Sequence, residues 1–255
     1  MTYTRRQRSS LLYQLQYAIR NPDRIRPYVS RYARDLVLRA SAPDHVAYYR
    51  EVMRSDVTEK SPFKAVGSPT EESWLRNGLL QFEYLLSHGL QPRHRVLEIG
   101  CGNLRAGWRI IEHLDAGNYY GLDISPDILL AANDTVVRYE LQDKLPNLHL
   151  VRDLTFGWLP DEHFDVVHAH SVFSHTPLEI VEECFAHVGR ILRPDGFFDF
   201  TFDRTELAEH QVLREDFYYR TETLVDLAAK HGLEARFMYD WEKNPHKQSK
   251  IRITR

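Results

Sequence analysis

Residues Arg95-Val96-Leu97-Glu98-Ile99-Gly100-Cys101-Gly102-Asn103-Leu104-Arg105 decide how this chain is read. Four residues of strand type, Val96 to Ile99, run into two glycines separated by one residue. Beyond them Trp108, Ile110, Ile111 and Leu114 recur with helical spacing. A strand that turns sharply into a helix leaves unpaired backbone N–H groups over the turn. Glycines there let a ligand approach the backbone where a Cβ would collide. The stretch reads as a nucleotide-type cofactor turn.

Upstream, Ser68-Pro69-Thr70-Glu71 predicts a helix start, with Ser68 as cap, Pro69 in the first helical position and Glu71 closing a capping box. That helix is expected to run to about Ser87, with Leu75, Leu79, Phe82 and Leu86 on one face and Gly89 ending it. Earlier still, Ser9–Arg20 places Leu11, Leu12, Leu15 and Ile19 on one face, and Asn21-Pro22-Asp23 reads as a turn. Tyr28–Ala40 is a cleaner amphipathic helix, with Val29, Tyr32, Ala33, Leu36, Val37 and Ala40 expected inside. Ser41-Ala42-Pro43 opens another helix carrying Val46, Tyr49 and Met53, and residues 55–68 read as a loop.

Downstream the pattern alternates. Tyr119–Ile124, Leu148–Val151, Phe164–Ala169 and Phe197–Phe202 read as strands. Helices are expected from Ser125-Pro126-Asp127 to Tyr139 and over Leu178–Leu192, the latter closed by a turn at Arg193-Pro194-Asp195-Gly196. Such alternation argues for a parallel sheet with helices on both faces. The tail departs from it. After a helix over Thr221–His231, the strands Leu233–Tyr239 and Lys250–Thr254 have no helix between them and suit an antiparallel hairpin.

The chain has 255 residues, 43% hydrophobic and 27% charged, enough for one large α/β domain with an appendage. No apolar run reaches the length of a membrane span, and the N-terminus lacks the pattern of a signal peptide. Cys101 and Cys184 form neither a disulfide framework nor a zinc spacing, so no metal is expected and a reducing cytoplasm is the simple setting. The net charge of −3 hides an asymmetry: residues 1–60 hold 12 Lys/Arg against 6 Asp/Glu, and the rest 21 against 30. A basic N-terminal section suits an anionic substrate, peripheral contact with a membrane surface, or nucleic acid. It is also what an ordinary solvated arginine-rich helix face looks like.

The glycine turn alone fits NAD or S-adenosylmethionine. The dinucleotide fingerprint wants a third glycine where Arg105 stands, which weakens that reading. At this point the chain resembles the class I S-adenosylmethionine-dependent methyltransferases. Glu98-Ile99-Gly100-Cys101-Gly102 is similar to their first motif; a third glycine common in that family is Leu104 here. Asp123 in Gly121-Leu122-Asp123-Ile124 matches the acid ending strand two, and Asp153 in Arg152-Asp153-Leu154 the acid after strand three. The strand Phe164–Val167 running into His170-Ser171-Val172-Phe173-Ser174-His175, the Arg193–Gly196 turn and the terminal hairpin follow in family order.

The resemblance covers roughly residues 70–255 and implies a Rossmann-like, seven-stranded, mostly parallel sheet with an antiparallel C-terminal strand. Residues 69–255 would be the methyltransferase domain and 1–68 a helical, arginine-rich extension serving as lid or interaction segment. It implies S-adenosyl-L-methionine as cofactor. Backbone N–H groups over Gly100, Cys101, Gly102 and Asn103 would face its methionyl part and Arg105 its carboxylate. Glu98 would lie at the base of the site, Asp123 with Ile124 at the ribose, and Asp153 with Leu154 at the adenine. Trp74 would close over the cofactor or pack in the core.

Methyl transfer is an in-line displacement with a good leaving group, so alignment and desolvation carry much of the rate. A hydroxyl acceptor also needs its proton removed, and a histidine near neutral pKa suits that. His168, His170 and His175 lie at or beyond the end of strand four. His170 is expected beside the methyl position, and His175 is the candidate base. The Asn/Asp-Pro-Pro-aromatic motif of amino-methyltransferases of nucleic-acid bases is absent after strand four, and so is the Pro-Cys of cytosine C5 enzymes. That disfavours nucleic acid and leaves a small molecule or glycan, O-methylated. The segment 203–220, with Asp203, Arg204, His210, Arg214, Tyr218, Tyr219 and Arg220, would be a lid over the acceptor. A cofactor-binding partner without transferase activity, or an NAD-dependent oxidoreductase, are the alternatives.

Overall fold

The computed structural model describes residues 22–255, with side chains from residue 29 onward. The helix expected over Ser9–Arg20 lies outside the described residues. By contact density the chain divides into residues up to Pro43 and residues 44–255; the sequence reading divides it at 68/69. The first unit carries α1 (Pro22–Ser41). Pro22 and Asp23 belong to that helix, whereas the sequence suggests a turn there. Proline is at home in a first helical turn, where its missing N–H has no partner to lose. On α1, Val29, Tyr32, Ala33, Leu36, Val37 and Ala40 are exposed, although their periodicity places them inside. Periodicity identifies a common face; it does not supply a surface to cover that face.

The second unit holds the sheet. In chain order its elements are α2 (His45–Glu59), α3 (Pro62–Ala65), α4 (Glu71–Ser87), β1 (Val96–Ile99), α5 (Gly107–His113), β2 (Tyr119–Asp123), α6 (Pro126–Arg138) and β3 (Asn147–Leu150). There follow β4 (Phe164–Ala169), α7 (Leu178–Ile191), β5 (Leu192–Arg204), β6 (His210–Val212), β7 (Asp216–Tyr219), α8 (Thr221–Lys230), β8 (Glu234–Phe237) and β9 (Ser249–Thr254). Strands β3-β2-β1-β4-β5 run parallel in that order, β9 adds antiparallel to β5, and β8 pairs antiparallel with β9. These seven are the expected sheet. Two more strands bring the total to nine: β7 pairs with the far end of β5, at Asp203↔Tyr218, and β6 pairs with β7. The segment 203–220, expected as a lid, is this short hairpin.

Several local expectations shift by a few residues for clear reasons. The N-cap of α4 is Thr70, not Ser68: the Thr70 hydroxyl accepts from Ser73 N–H while the Ser73 hydroxyl accepts from Thr70 N–H. That reciprocal box satisfies two orphan donors at once, and Ser68 is left buried before it. The 55–68 stretch holds the end of α2 and the one-turn α3, capped by Ser61, rather than only loop. Arg193–Gly196 is an irregularity inside the long β5, where the pairing with β4 skips from Phe164↔Leu192 to Val166↔Phe197.

Helices cover both faces of the sheet. On one, Phe198, Phe200, Phe202, Val167 and Ile251 pack with Phe185 and Val188 of α7 and with Leu224 and Ala228 of α8. On the other, Val96 and Val166 pack with Leu85 of α4, Ile110 of α5 and Ala132 and Val136 of α6. Strand order reverses on either side of β1, with β2 and β4 as its neighbours. Open α/β sheets bind ligands at such a switch point, beyond the carboxyl ends of the strands.

Candidate functional site

The glycine turn leaves β1 with three residues in left-handed backbone: Gly100 (φ +65), Gly102 (φ +55) and Leu104 (φ +61). A Cβ on Gly100 would sit 2.4 Å from Val172 Cγ2, and one on Gly102 2.9 Å from Val66 Cγ1. Both glycines are required by the fold around them as well as by their dihedrals. Leu104 occupies the place of a third glycine and keeps its left-handed geometry. The cost of that conformation, about 1–2 kcal/mol, is offset by complete burial of its side chain.

The turn's N–H groups do something the sequence does not reveal. Gly102 N–H donates to Asp123 Oδ2 at 3.0 Å, Cys101 N–H to the Leu122 carbonyl at 2.9 Å, and Leu104 N–H to the Cys101 carbonyl at 3.0 Å. The expected row of N–H groups facing a ligand across Gly100–Asn103 is therefore interrupted at Cys101 and Gly102. These donors lock the turn onto the end of β2. Ser125 N–H donates to Asp123 Oδ1 at 2.9 Å. Both oxygens of Asp123 thus accept backbone N–H groups. Burial pushes the carboxyl up to about 6, against the pull of the N–H groups of Ser125, Gly102 and Ile124.

Beneath the turn, Glu98 is buried and accepts the Tyr119 hydroxyl at 2.5 Å. Burial pushes it up to about 7, while Tyr119 and the Arg105 charge oppose the shift. Arg105 donates from Nη1 to the Val66 carbonyl at 2.5 Å, and burial lowers its guanidinium to about 10. Asn103 is buried and accepts Trp74 Nε1–H at 2.8 Å while donating to the Pro62 carbonyl at 3.1 Å. Trp74, almost wholly buried, is a core residue that braces the turn. Cys101 is buried, and burial holds its thiol well above the usual range.

Asp153 and Leu154 are placed differently from each other. Asp153 is exposed and turned onto its own loop, accepting Thr155 N–H at 3.1 Å and the Thr155 hydroxyl at 2.6 Å, which hold its carboxyl below the usual range. Leu154 points into the main core, and its N–H donates to Glu183 at 2.8 Å. The ends of β2 and β3 are instead tied by Arg50 of α2, a residue without any local sequence signal. Its Nε donates to the Ile124 carbonyl at 2.5 Å and its Nη2 to the Val151 carbonyl at 2.9 Å. Arg50 thus sets α2 across the mouth of the site.

His175 lies in the loop that follows β4, against α2. Its Nδ1 lies 2.7 Å from the Glu215 carbonyl and 3.3 Å from Asp216 Oδ1. A carbonyl only accepts, so Nδ1 carries the proton and, in the neutral ring, Nε2 is the basic nitrogen. Burial works to lower the pKa of His175, but the Asp216 carboxylate and the Glu215 carbonyl prevail and raise it. The loop bearing His175 is stitched to β7 twice more, by Phe217 N–H to the Ser174 carbonyl at 2.8 Å and Tyr219 O–H to the Thr176 carbonyl at 2.6 Å. From α2, His45 Nε2 donates to the His175 carbonyl at 2.8 Å, and the Tyr49 ring lies 5.5 Å from the imidazole. Asp216 lies 41 residues beyond His175, so only the paired β7 brings it there.

His168 lies on β4, and His170 follows directly after the strand ends at Ala169. Both are buried and held well below the usual histidine range, chiefly by burial. His170 Nε2 meets His246 Nε2 at 3.0 Å. Beside it the Ser171 and Thr201 hydroxyls both donate to Gln248 Oε1, at 2.8 and 2.9 Å. The connection between β8 and β9 thus clasps the end of β4, a closure no local pattern announces.

Comparison with known proteins adds to this geometry. A methyltransferase-domain family matches residues 97–198. A sterol 24-C-methyltransferase of Gibberella zeae is 29% identical over 122 residues, which are 47% of this chain and 31% of that protein. The match thus spans about a third of that relative's length. Among solved structures, magnesium protoporphyrin IX methyltransferase of Synechocystis with bound S-adenosylmethionine superposes with a TM-score of 0.63 at 16% identity, covering 84% of this chain and 99% of that one. A phosphoethanolamine N-methyltransferase of Haemonchus contortus superposes with a TM-score of 0.59 at 14% identity, covering 80% and 59%.

Proposed function

We propose that this chain, which carries a class I S-adenosylmethionine-dependent methyltransferase domain, methylates a hydroxyl oxygen of a small molecule or glycan with His175 as general base. S-adenosylmethionine is the cofactor this reading takes. The solved relatives include one with the cofactor bound, and the residues here fit it. Asp123 stands beside the glycine turn at the end of β2, with a carboxylate suited to accept from ribose hydroxyls. Glu98, Gly100, Cys101, Gly102, Asn103, Arg105 and Ile124 shape that side of the site, with His170 at its inner wall. Asp153 and Leu154 are assigned to the adenine end, where Asp153 stands exposed. The cofactor, when bound, supplies the electrophilic methyl group.

The acceptor atom is read from the site itself, because the relatives are named for both carbon and nitrogen acceptors. The observation that carries it is the tautomer of His175. Nδ1 is committed to Glu215 and Asp216, which leaves Nε2 to take an acceptor proton. Asp216 is a positioning residue that fixes ring and tautomer, in the way a carboxylate orients a catalytic imidazole. Tyr49 and His45 of α2 shelter the ring from water.

The test is transfer to a panel of hydroxylated acceptors, followed by S-adenosylhomocysteine release. His175→Ala is expected to lower kcat about 10²- to 10⁴-fold while cofactor affinity by calorimetry stays unchanged. In the wild-type enzyme the rate should rise with pH as His175 deprotonates, with a midpoint above 6.5 because its pKa is raised. Asp216→Asn should move that midpoint down. Undiminished turnover in His175→Ala removes the histidine base; no binding of S-adenosylmethionine removes the whole reading.

A further inference from the structure

Helix α1 presents an apolar surface that the fold and the site do not explain. Val29, Leu36 and Val37 are 58%, 59% and 65% exposed, and Tyr32 is 48% exposed. Ala33 and Ala40 are exposed beside them. At 100° per residue these six positions fall within an arc of roughly 140°. They form one continuous, largely aliphatic stripe along the helix, so the exposure is not a scatter of single residues of the ordinary kind. Arg39, paired with Asp35 at 2.7 Å, stands at the margin of the stripe.

The charge of the segment limits what can cover the stripe. Residues 1–43 contain nine arginines, no lysine and two aspartates, whereas the remaining residues hold 24 Lys/Arg against 34 Asp/Glu. A second copy meeting stripe to stripe would bring two strongly basic segments together, which repulsion opposes. The covering surface has to be apolar where the stripe touches it and anionic around it. A bilayer bearing anionic lipid headgroups has both properties. An in-plane helix with an apolar face, set in a basic segment, is the form that binds such a surface. Among the described residues no helix is long and apolar enough to cross a membrane, so the contact would be peripheral.

We infer that α1 is an interfacial helix that seats the protein on an anionic membrane surface through the stripe Val29–Val37. This does not depend on the reaction assigned to the second unit.

The experiment is co-sedimentation of the full chain with vesicles of phosphatidylcholine containing phosphatidylglycerol, against phosphatidylcholine alone, at low and high salt. The wild-type protein is expected to bind the anionic vesicles, more weakly as salt rises. The double variant L36D/V37D is expected to lose about tenfold or more of that affinity, since it removes two of the large apolar contacts and adds repulsion. Its thermal unfolding and cofactor binding should match wild type, which separates lost contact from lost fold. No binding to anionic vesicles at low salt overturns the inference. So does equal binding by the double variant, which would leave charge alone as the cause. A wild-type dimer in light scattering that the variant abolishes would assign the stripe to a second copy instead.

Discussion

The two faces of the same sheet are built on opposite principles. One face of β1, β4, β5 and β9 carries Leu97, Ile99, Val167, Ala169, Phe198, Phe200, Phe202, Ile251 and Ile253, all buried under α7 and α8. On the other face, one residue out of step, a row of ionisable side chains crosses the same four strands in register: Glu98 pairs with His168, His168 with Asp199 and Asp199 with Arg252. Arg252 grips Asp199 with two bonds of 2.6 and 2.7 Å. One rung further, Lys250 is wholly buried with its ammonium 4.3 Å from the Tyr84 ring and 4.2 Å from that of Trp241. Burial lowers it to about 8. The first face holds the fold by apolar burial. The second gives up part of that burial to hold ionisable groups at the level of the glycine turn.

The largest effect that separates the faces should come from the apolar side. Phe200→Ala is expected to destabilise the protein by about 4 kcal/mol, the cost of an aromatic deletion in a packed core. Chemical denaturation measures it, and the folded fraction should bind S-adenosylmethionine as wild type does. A loss of affinity in that fraction would show that the two faces are not separable.

A smaller, pH-dependent effect belongs to the polar face. The carboxyl of Glu98 has its folded-state pKa raised from 4.5 to about 7 by burial. The unfolded chain therefore gives up this proton first as pH rises. The contribution of Glu98 to stability is complete below about 4.5 and lost as pH passes about 7, with a swing on the order of 3 kcal/mol. Without cofactor, the Tm of the wild-type protein should fall over this range relative to Glu98→Gln, which cannot ionise. Parallel Tm profiles for the two proteins would place the Glu98 pKa near its ordinary value.

The smallest effect should have the opposite sign. Among the described residues neither ring nitrogen of the buried His168 has a hydrogen-bond partner. Replacing a buried polar group that makes no bond by an apolar one of similar size is neutral or favourable. His168→Leu is expected to raise stability by about 1 kcal/mol. A destabilisation of that size would mean that a buried water satisfies the ring and belongs to the structure.

Much of the fold was legible because its signals are local. Alternation of strand and helix patterns, Gly89 and Gly232 at helix ends and the unbroken run Phe164–Ala169 each depend on neighbours a few residues away. The glycine turn and Asp123 were legible for the same reason. What sequence reading misplaced required knowing what packs against what. The face of α1 was identified correctly but assigned to an interior. The start of α4 went to Ser68, because Thr70 and Ser73 form their box only once the helix direction is set. Core and lid are equally open to Trp74 in the sequence; its N–H reaching Asn103, 29 residues on, places it in the core.

The sequence by itself determined the strand order's raw material, the turn at Gly100–Gly102 and the acid at Asp123, since these follow from periodicity, glycine backbone freedom and spacing along the chain. Only the tertiary structure decided that the N–H of Gly102 holds Asp123, that Arg50 fastens the ends of β2 and β3, and that Asp216 comes within 3.3 Å of His175. Hydrogen bonds act over about 3 Å, and the residues that make these lie 21, 74, 101 and 41 positions apart. No local pattern encodes a contact that sheet pairing and helix packing must first create.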